Sequence, residues 1–292
     1  MIRKTVNSNI STTTMLMRLS ISRWGASKKD QKESREICER KNAEKGAASV
    51  LIQLVPKEEL KAINNAAFKV NQIWHRYTLP WIDDGVGILP ARCYEKCAKE
   101  ISEAIKYFDE KVDEFLARFP KIVENLPTHL GELIKTNTLP NIGELKSKFS
   151  ISVIYQPVPQ ASDFNVSLSN DDAINEIRRN ITNSVNNATQ LAMTSLYDDL
   201  YKLVSKIKDT TAVKDKIFRD SLISNLREFC ERLPDLNIIK DERLNKLCRE
   251  CKEQLGSIDP QDLRDNNRIR KQTAEKANNI IENIRKIDLD ME

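Results

Sequence analysis

The chain has 292 residues, of which 31% are charged and 6% aromatic, with only 7 glycines and a formal net charge of +4. This composition leans to the helix-rich, coiled-coil-like end of globular proteins, and no apolar run approaches the ~20 residues that a bilayer crossing needs. The charge is uneven, net +6 over residues 1–50, zero over 51–150, −4 over 151–200 and +2 over 201–292: a basic amino end can attract phosphates or an acidic protein, but the rest lacks the broad basic stripe of a committed duplex binder.

Residues 1–14 read as a flexible leader. The first acidic residue is Asp30, after six Lys or Arg and many Ser and Thr, a bias shared with organelle transit peptides, and Met15 or Met17 can serve as a translation start. We expect the cytoplasm, since no signal-peptide core precedes the six cysteines. Residues 15–24 alternate in polarity as a strand does and end at Trp24-Gly25. Ser27 to Lys45 is charge-dense and helical in propensity, with Gly46 able to close it. Pro56 opens a helix with Glu58 and Glu59 in its first turn and the stripe Leu60, Ile63, Ala67, Val70 and Trp74. RYTLPWIDDGVGILP then reads as a tight loop or small hairpin.

From Ala91 the positions Ile101, Ile105, Phe108, Val112, Phe115 and Phe119 take the four-and-three spacing of a coiled-coil seam, with Pro120 stopping or kinking the helix and Pro127 breaking a shorter piece that reaches about Lys135. Ile151, Val153 and Tyr155, followed by Phe164, Val166 and Leu168, predict a β-hairpin, with strand 15–24 pairing to it. No proline occurs between Pro159 and Pro234, and no glycine between Gly143 and Gly256. Long helices are what so few breakers imply. A rod capped at Ser169, with Asp171 and Asp172 in its first turn, carries Ile174, Ile177, Ile181, Val185, Ala188, Ala192, Leu196, Leu200, Leu203 and Ile207 on one face and ends near Lys208 to Thr211. Three more helices follow: one carrying Val213 to Leu233, one Leu236 to Leu255, and one from Asp259 to Leu289. The expected fold is mainly α, an elongated bundle of long, coiled-coil-like helices with a small antiparallel β-sheet. Residues 15–168 form the strand, helix and hairpin body, and 169–292 the long helical region.

Candidate chemistry is sparse. Cys93/Cys97 and Cys248/Cys251 each share a helix face, and four thiolates could hold zinc; thiols on apolar stripes also serve as small hydrophobes, which is the reading adopted, so no metal is assigned. His75 and His129 have no catalytic spacing, Asp83-Asp84-Gly85 fits a turn, and neither a cofactor nor a catalytic residue is expected. Two aromatic-basic clusters remain: Arg23, Trp24, Lys28 and Lys29; and Trp74, His75, Arg76, Tyr77, Trp81 and Arg92. Rings interleaved with cations suit single-stranded nucleic acid, because bases stack on the rings while Lys and Arg meet phosphates. The reading adopted for these rings is that they cement a joint between the small sheet and the helices, with nucleic-acid binding as the alternative.

The order LSISRWGASKKD, then EIC, then PKEELKAINNAAFKVNQIWHRYTLPW resembles an uncharacterised family of helical proteins of bacteriophages and mobile elements, over about the first hundred residues. Members are often encoded beside a MoxR-type AAA+ ATPase. The resemblance implies an adaptor role toward such a partner and transfers no catalytic residue. The functional expectation is a non-enzymatic interaction protein that forms homo-oligomers or engages a protein partner such as an AAA+ ATPase; the alternative is a single-stranded DNA-binding or annealing protein.

Overall fold

The computed structural model describes residues 10–131, 139–166, 170–213 and 217–289. Of these residues 69% are helical, with a four-stranded antiparallel sheet and a two-stranded one, so the mainly α class with a small sheet holds. The chain divides into two compact units.

Unit 2 gathers Leu19–Arg76 and Lys96–Ile154. Its helical content is chiefly α2 (Lys57–Tyr77) and α3 (Tyr94–Leu130). The apolar stripes read from the sequence meet here: Leu60, Ile63, Ala66 and Ala67 share one core with Phe108, Val112, Phe115, Phe119, Ile122 and Leu126. Phe115 is fully buried, which stabilises the unit by about 1.5–3 kcal/mol for that ring alone. The short α4 (Ile142–Lys146) adds Leu145. It starts at a reciprocal cap, in which Asn141 accepts from the Glu144 amide at 2.9 Å and donates its own amide to the Glu144 carboxylate at 3.2 Å. That pairing satisfies two amides which a helix start otherwise leaves open.

Helix α3 runs unbroken through Pro120 and Pro127, against the expectation of a stop. Both prolines are exposed, whereas Phe119, Ile122 and Leu126 beside them are buried. Their packing outweighs the missing hydrogen bond and the ring clash, a cost of about 3 kcal/mol. The span Ser27–Lys45 also departs from its helical reading. It begins as β2 (Ser27–Asp30), paired antiparallel with β3 (Val50–Gln53), and only α1 (Gln31–Arg40) is helical. Asp30 sets that start by accepting from the amides of Lys32 and Glu33. The helix ends well before Gly46, and Asn42 takes the left-handed conformation at φ 49°.

Unit 1 gathers the described residues of Met1–Arg18, Tyr77–Glu95 and Tyr155–Glu292. Strand β1 (Thr14–Ser22) pairs with β5 (Val86–Pro90) from Thr14↔Pro90 to Arg18↔Val86, and β4 (Leu79–Pro80) pairs with β5 on its far side. The hairpin between β4 and β5 turns at Asp83-Asp84-Gly85, where Gly85 supplies φ 72° and Val86 donates to the Asp83 carbonyl. The sheet order is β4-β5-β1-β6, with β6 spanning Ser150–Pro157. Strand 15–24 therefore neighbours the 151–155 strand as expected. The second arm of the predicted hairpin does not form among the described residues: Phe164 and Val166 lie outside any strand, and Leu168 lies outside the described residues.

The long rod is α5 (Asp171–Thr211). Asn170 caps it, accepting from the Asp172 amide at 2.9 Å; the expected cap, Ser169, lies outside the described residues. From Ala188 onward its stripe is buried at Ala192, Leu196, Leu200, Val204 and Ile207, and α5 packs on α6 (Ser221–Leu236) and α9 (Asn267–Leu289). Arg270, 5% exposed, donates to the carbonyls of Thr210 and Val213 at 2.7 Å each, filling acceptors that the end of α5 leaves open. Helix α6 begins later than its predicted span: Val213 and Ile217, read as core, are 53% and 83% exposed. Helix α7 (Glu242–Cys251) continues into a wider π-turn that ends at Gly256. The predicted last helix is two, α8 (Pro260–Asp265) and α9. Asn266 is extended at their junction and caps α9 through the amides of Arg268 and Ile269.

Candidate nucleic-acid interface

Of the two aromatic-basic clusters, the first contributes Arg23 and Trp24 to a cleft, and Lys28 and Lys29 are not part of its lining. Where β1 ends, Arg23, Trp24 and Gly25 face Gln53 of β3 and Lys57, Leu60 and Asn64 of α2 across an open cleft of about 510 Å³. All of these residues belong to unit 2. Ala26 follows in the left-handed conformation, φ 48°, fully buried. Its carbonyl accepts from the Leu54 amide at 2.7 Å and the Gln53 side chain at 3.1 Å. Those two bonds pin the turn that presents Arg23 and Trp24.

Trp24 is half-buried, in edge contact with Phe119 at 6.1 Å and tilted against Phe115 at 6.4 Å, and it still lines the cleft. Arg23 is exposed and donates to the Asn64 side chain at 2.9 Å. Lys57 and Asn64 stand seven residues apart on α2, two turns along one face. One further turn beyond Asn64, Phe68 is 60% exposed. In the β2–β3 ladder Ser27 pairs Gln53 and Lys29 pairs Leu51, whereas Lys28 pairs Ile52. Strand alternation thus puts Lys29 on the face of Gln53 and Lys28 on the opposite face. The cleft lining combines cations, amides and an indole, and among the described residues it includes no carboxylate, thiol or imidazole.

The second cluster is not gathered in this way. Trp74, Tyr77 and Trp81 are 8%, 8% and 9% exposed, so their rings are committed to the interior and offer no stacking platform. Trp74 and Tyr77 continue the Leu60–Val70 stripe of α2, and that position buries them. Arg76, exposed on another face, makes an ion pair with Glu100 at 3.0 Å. Arg92 donates to the Pro234 carbonyl at 2.9 Å, a bond within unit 1. Sequence reasoning passed over Gln53, Lys57 and Asn64. The signal was the i, i+7 pair of α2, visible only once β3 is known to lead into that helix.

The cysteines, histidines and Asp241 make contacts within the fold. All six cysteines are buried and free, and among the described residues no group of three His, Cys, Asp or Glu is placed to hold a metal ion. The Cys248 thiol donates to the Cys230 carbonyl at 3.3 Å. Its own hydrogen bond with Cys230, and then burial, push the Cys248 thiol up. At Cys230 the bond from Cys248 lowers the value, but the bond with Cys251 and burial raise it further, to about 12. These thiols stay protonated and are poor nucleophiles. Asp241, with its side chain 10% exposed, accepts from Tyr197 at 2.8 Å and caps α7 through the Arg243 amide at 2.9 Å. Burial raises its carboxyl, and the bonds from Arg243 and Tyr197 outweigh burial and hold it below its ordinary value. His75 stacks edge-on against Trp74 at 4.7 Å, and a His129 ring nitrogen meets the Gln53 carbonyl at 3.2 Å.

No helix among the described residues is long and apolar enough to cross a membrane. No family model matches this chain, and neither a curated protein nor a solved structure is significantly similar to it.

Proposed function

We propose that this chain is a non-enzymatic binding protein whose working site is the cleft of unit 2, and that the cleft takes single-stranded DNA. The observation that carries this reading is the lining itself. Arg23 and Lys57 supply phosphate contacts, Trp24 a ring on which a base can stack, and Gln53 Oε1 and Asn64 Nδ2, the amide atoms opposite those bonded to Ala26 and Arg23, an acceptor and a donor for base edges. No carboxylate opposes the cations there. The uneven charge of the chain adds to this, since the +6 excess of residues 1–50 includes Arg23 and Lys29.

The test is the binding of a labelled oligonucleotide across a salt series. Lys57→Ala and Arg23→Ala each weaken binding and lower the salt slope by about 0.7, the loss of one phosphate contact on a single strand. Lys28→Ala, on the opposite face of the ladder, leaves both unchanged. An unaltered chain that binds no oligonucleotide at low salt removes the reading.

A second reading, docking of a protein partner such as an AAA+ ATPase or a second copy, is favoured by α5. Its first seventeen residues bury no side chain, and Ile174, Ile177, Ile181 and Val185 make a half-exposed stripe there. Such a stripe suits a partner helix. Light scattering on an Ile177→Asp, Ile181→Asp variant tests it: loss of a higher-order species supports the stripe as an interface, and an unchanged mass for a protein already monomeric discards self-association.

A further inference from the structure

We propose that the bound strand does not end in the cleft at Trp24 but crosses the corner where β3 turns into α2 and continues along a second, cationic cleft on α3. This rests on the DNA reading above and extends it to the path of the strand.

The second cleft, about 200 Å³, lies in the same unit and is lined by Arg118, Lys121, Asn125 and His129 over a floor of Ile122 and Leu126. The two clefts share a wall. Gln53 and Lys57 line the first, Pro56 and Glu59 the second, and the His129 ring nitrogen reaches the Gln53 carbonyl at 3.2 Å. The corner 53–57 thus contributes residues to both clefts.

On α3 the four polar residues fall on successive turns of one face, a track of about 16 Å at 1.5 Å per residue. Lys121, Asn125 and His129 are all exposed. Among the described residues the one carboxylate in the lining, Glu59, is held by Arg118 at 3.0 Å, which leaves Lys121 as the cation there without that contact. Lys121 offers a phosphate contact and His129 the face of a ring, while Asn125, whose amide nitrogen donates to the Lys121 carbonyl at 3.0 Å, offers its Oδ1 as an acceptor for a base edge. An acidic peptide can meet the cations and pair its backbone with the amides as well; what favours single-stranded DNA is the flat ring in each cleft, Trp24 and His129, on which bases stack.

The experiment measures anisotropy of labelled oligo-dT of about 4 and about 16 nucleotides, the ends of the range that single-strand sites span, with the full chain and two variants. Arg23→Ala tests the first cleft, and Lys121→Ala combined with Asn125→Ala, neither of which touches the first cleft's lining, tests the second; every substituted side chain is exposed. The expected result is that Arg23→Ala weakens both lengths. The double variant leaves the short oligonucleotide unchanged, weakens the long one roughly three- to tenfold and lowers its salt slope by about 0.7. If the double variant binds the long oligonucleotide as the unaltered chain does while Arg23→Ala still weakens it, the path is wrong and the first site stands. If neither length binds the unaltered chain at low salt, both are wrong. Poly-glutamate of equal charge binding as tightly as the long oligonucleotide overturns the strand path in favour of an acidic protein.

Discussion

Asp241 illustrates how much one side chain can carry when its neighbours are donors. Its carboxylate joins Tyr197 of α5 to the first turn of α7, and Asn237, 1% exposed, closes the same loop by accepting from the Asp241 amide at 2.8 Å and donating to its carbonyl at 2.9 Å. Because the folded value lies below the ordinary 3.8, the carboxylate adds stability that is fully present above the unfolded value and is lost as pH falls through the folded one. Asp241→Asn keeps a good capping residue and removes the charge, so we expect it to cost about 1–2 kcal/mol at neutral pH. That difference should vanish as urea titrations are carried below pH 3.8 toward the folded value. A difference that persists undiminished in acid would mean that shape, and not charge, is what Asp241 contributes. Asp241 was invisible in the sequence as a partner of Tyr197 because 44 residues separate them. Trp74, by contrast, was legible: it continues a stripe with Leu60, Ile63 and Val70, while His75 and Arg76, off that stripe, are exposed.

Among the elements, the helices with long apolar stripes were legible and those whose limits depend on partners were not. Helix α5 ends at Thr211, inside the range its periodicity implies. The β2–β3 ladder was missed because SKKD has the composition of a helix start; only pairing with VLIQ makes it a strand. Pro120 was misjudged for a related reason. A local rule for proline assigns about 3 kcal/mol against continuation, and the buried neighbours Phe115, Phe119 and Ile122 offset it. If that balance is right, Pro120→Ala recovers a backbone hydrogen bond at an exposed site without disturbing the core. It is then expected to raise stability by about 1–2 kcal/mol, less than the full penalty because the proline also restricts the unfolded chain. Urea denaturation measures this, and an unchanged midpoint would show that the helix has already relaxed around the ring.

At the scale of the molecule, the chain alternates between its units four times, at residues 18, 76, 95 and 154, so neither unit is one continuous stretch. A cut placed by composition, such as the one that starts a helical region at residue 169, leaves out segments that complete unit 1. Helix α5 packs on β4, helix α6 packs on the 3₁₀ turn Ala91–Cys93, and Arg92 bonds the Pro234 carbonyl; residues 77–95 supply all three contacts. Periodicity cannot reveal such a dependence, because it reports which face of a helix is apolar and not which distant segment covers it. A fragment of residues 169–292 retains α5 to α9 and their mutual packing, so it should stay helical by circular dichroism. Without 77–95 it loses the cover that β4 and the Arg92 segment give α5 and α6, and its thermal midpoint should fall by roughly 5–10 °C, the equivalent of about 1–3 kcal/mol for a chain of this size. A fragment that melts as high as the whole protein would mean that those contacts add nothing, and the helical region would then be an independent domain in the thermodynamic sense.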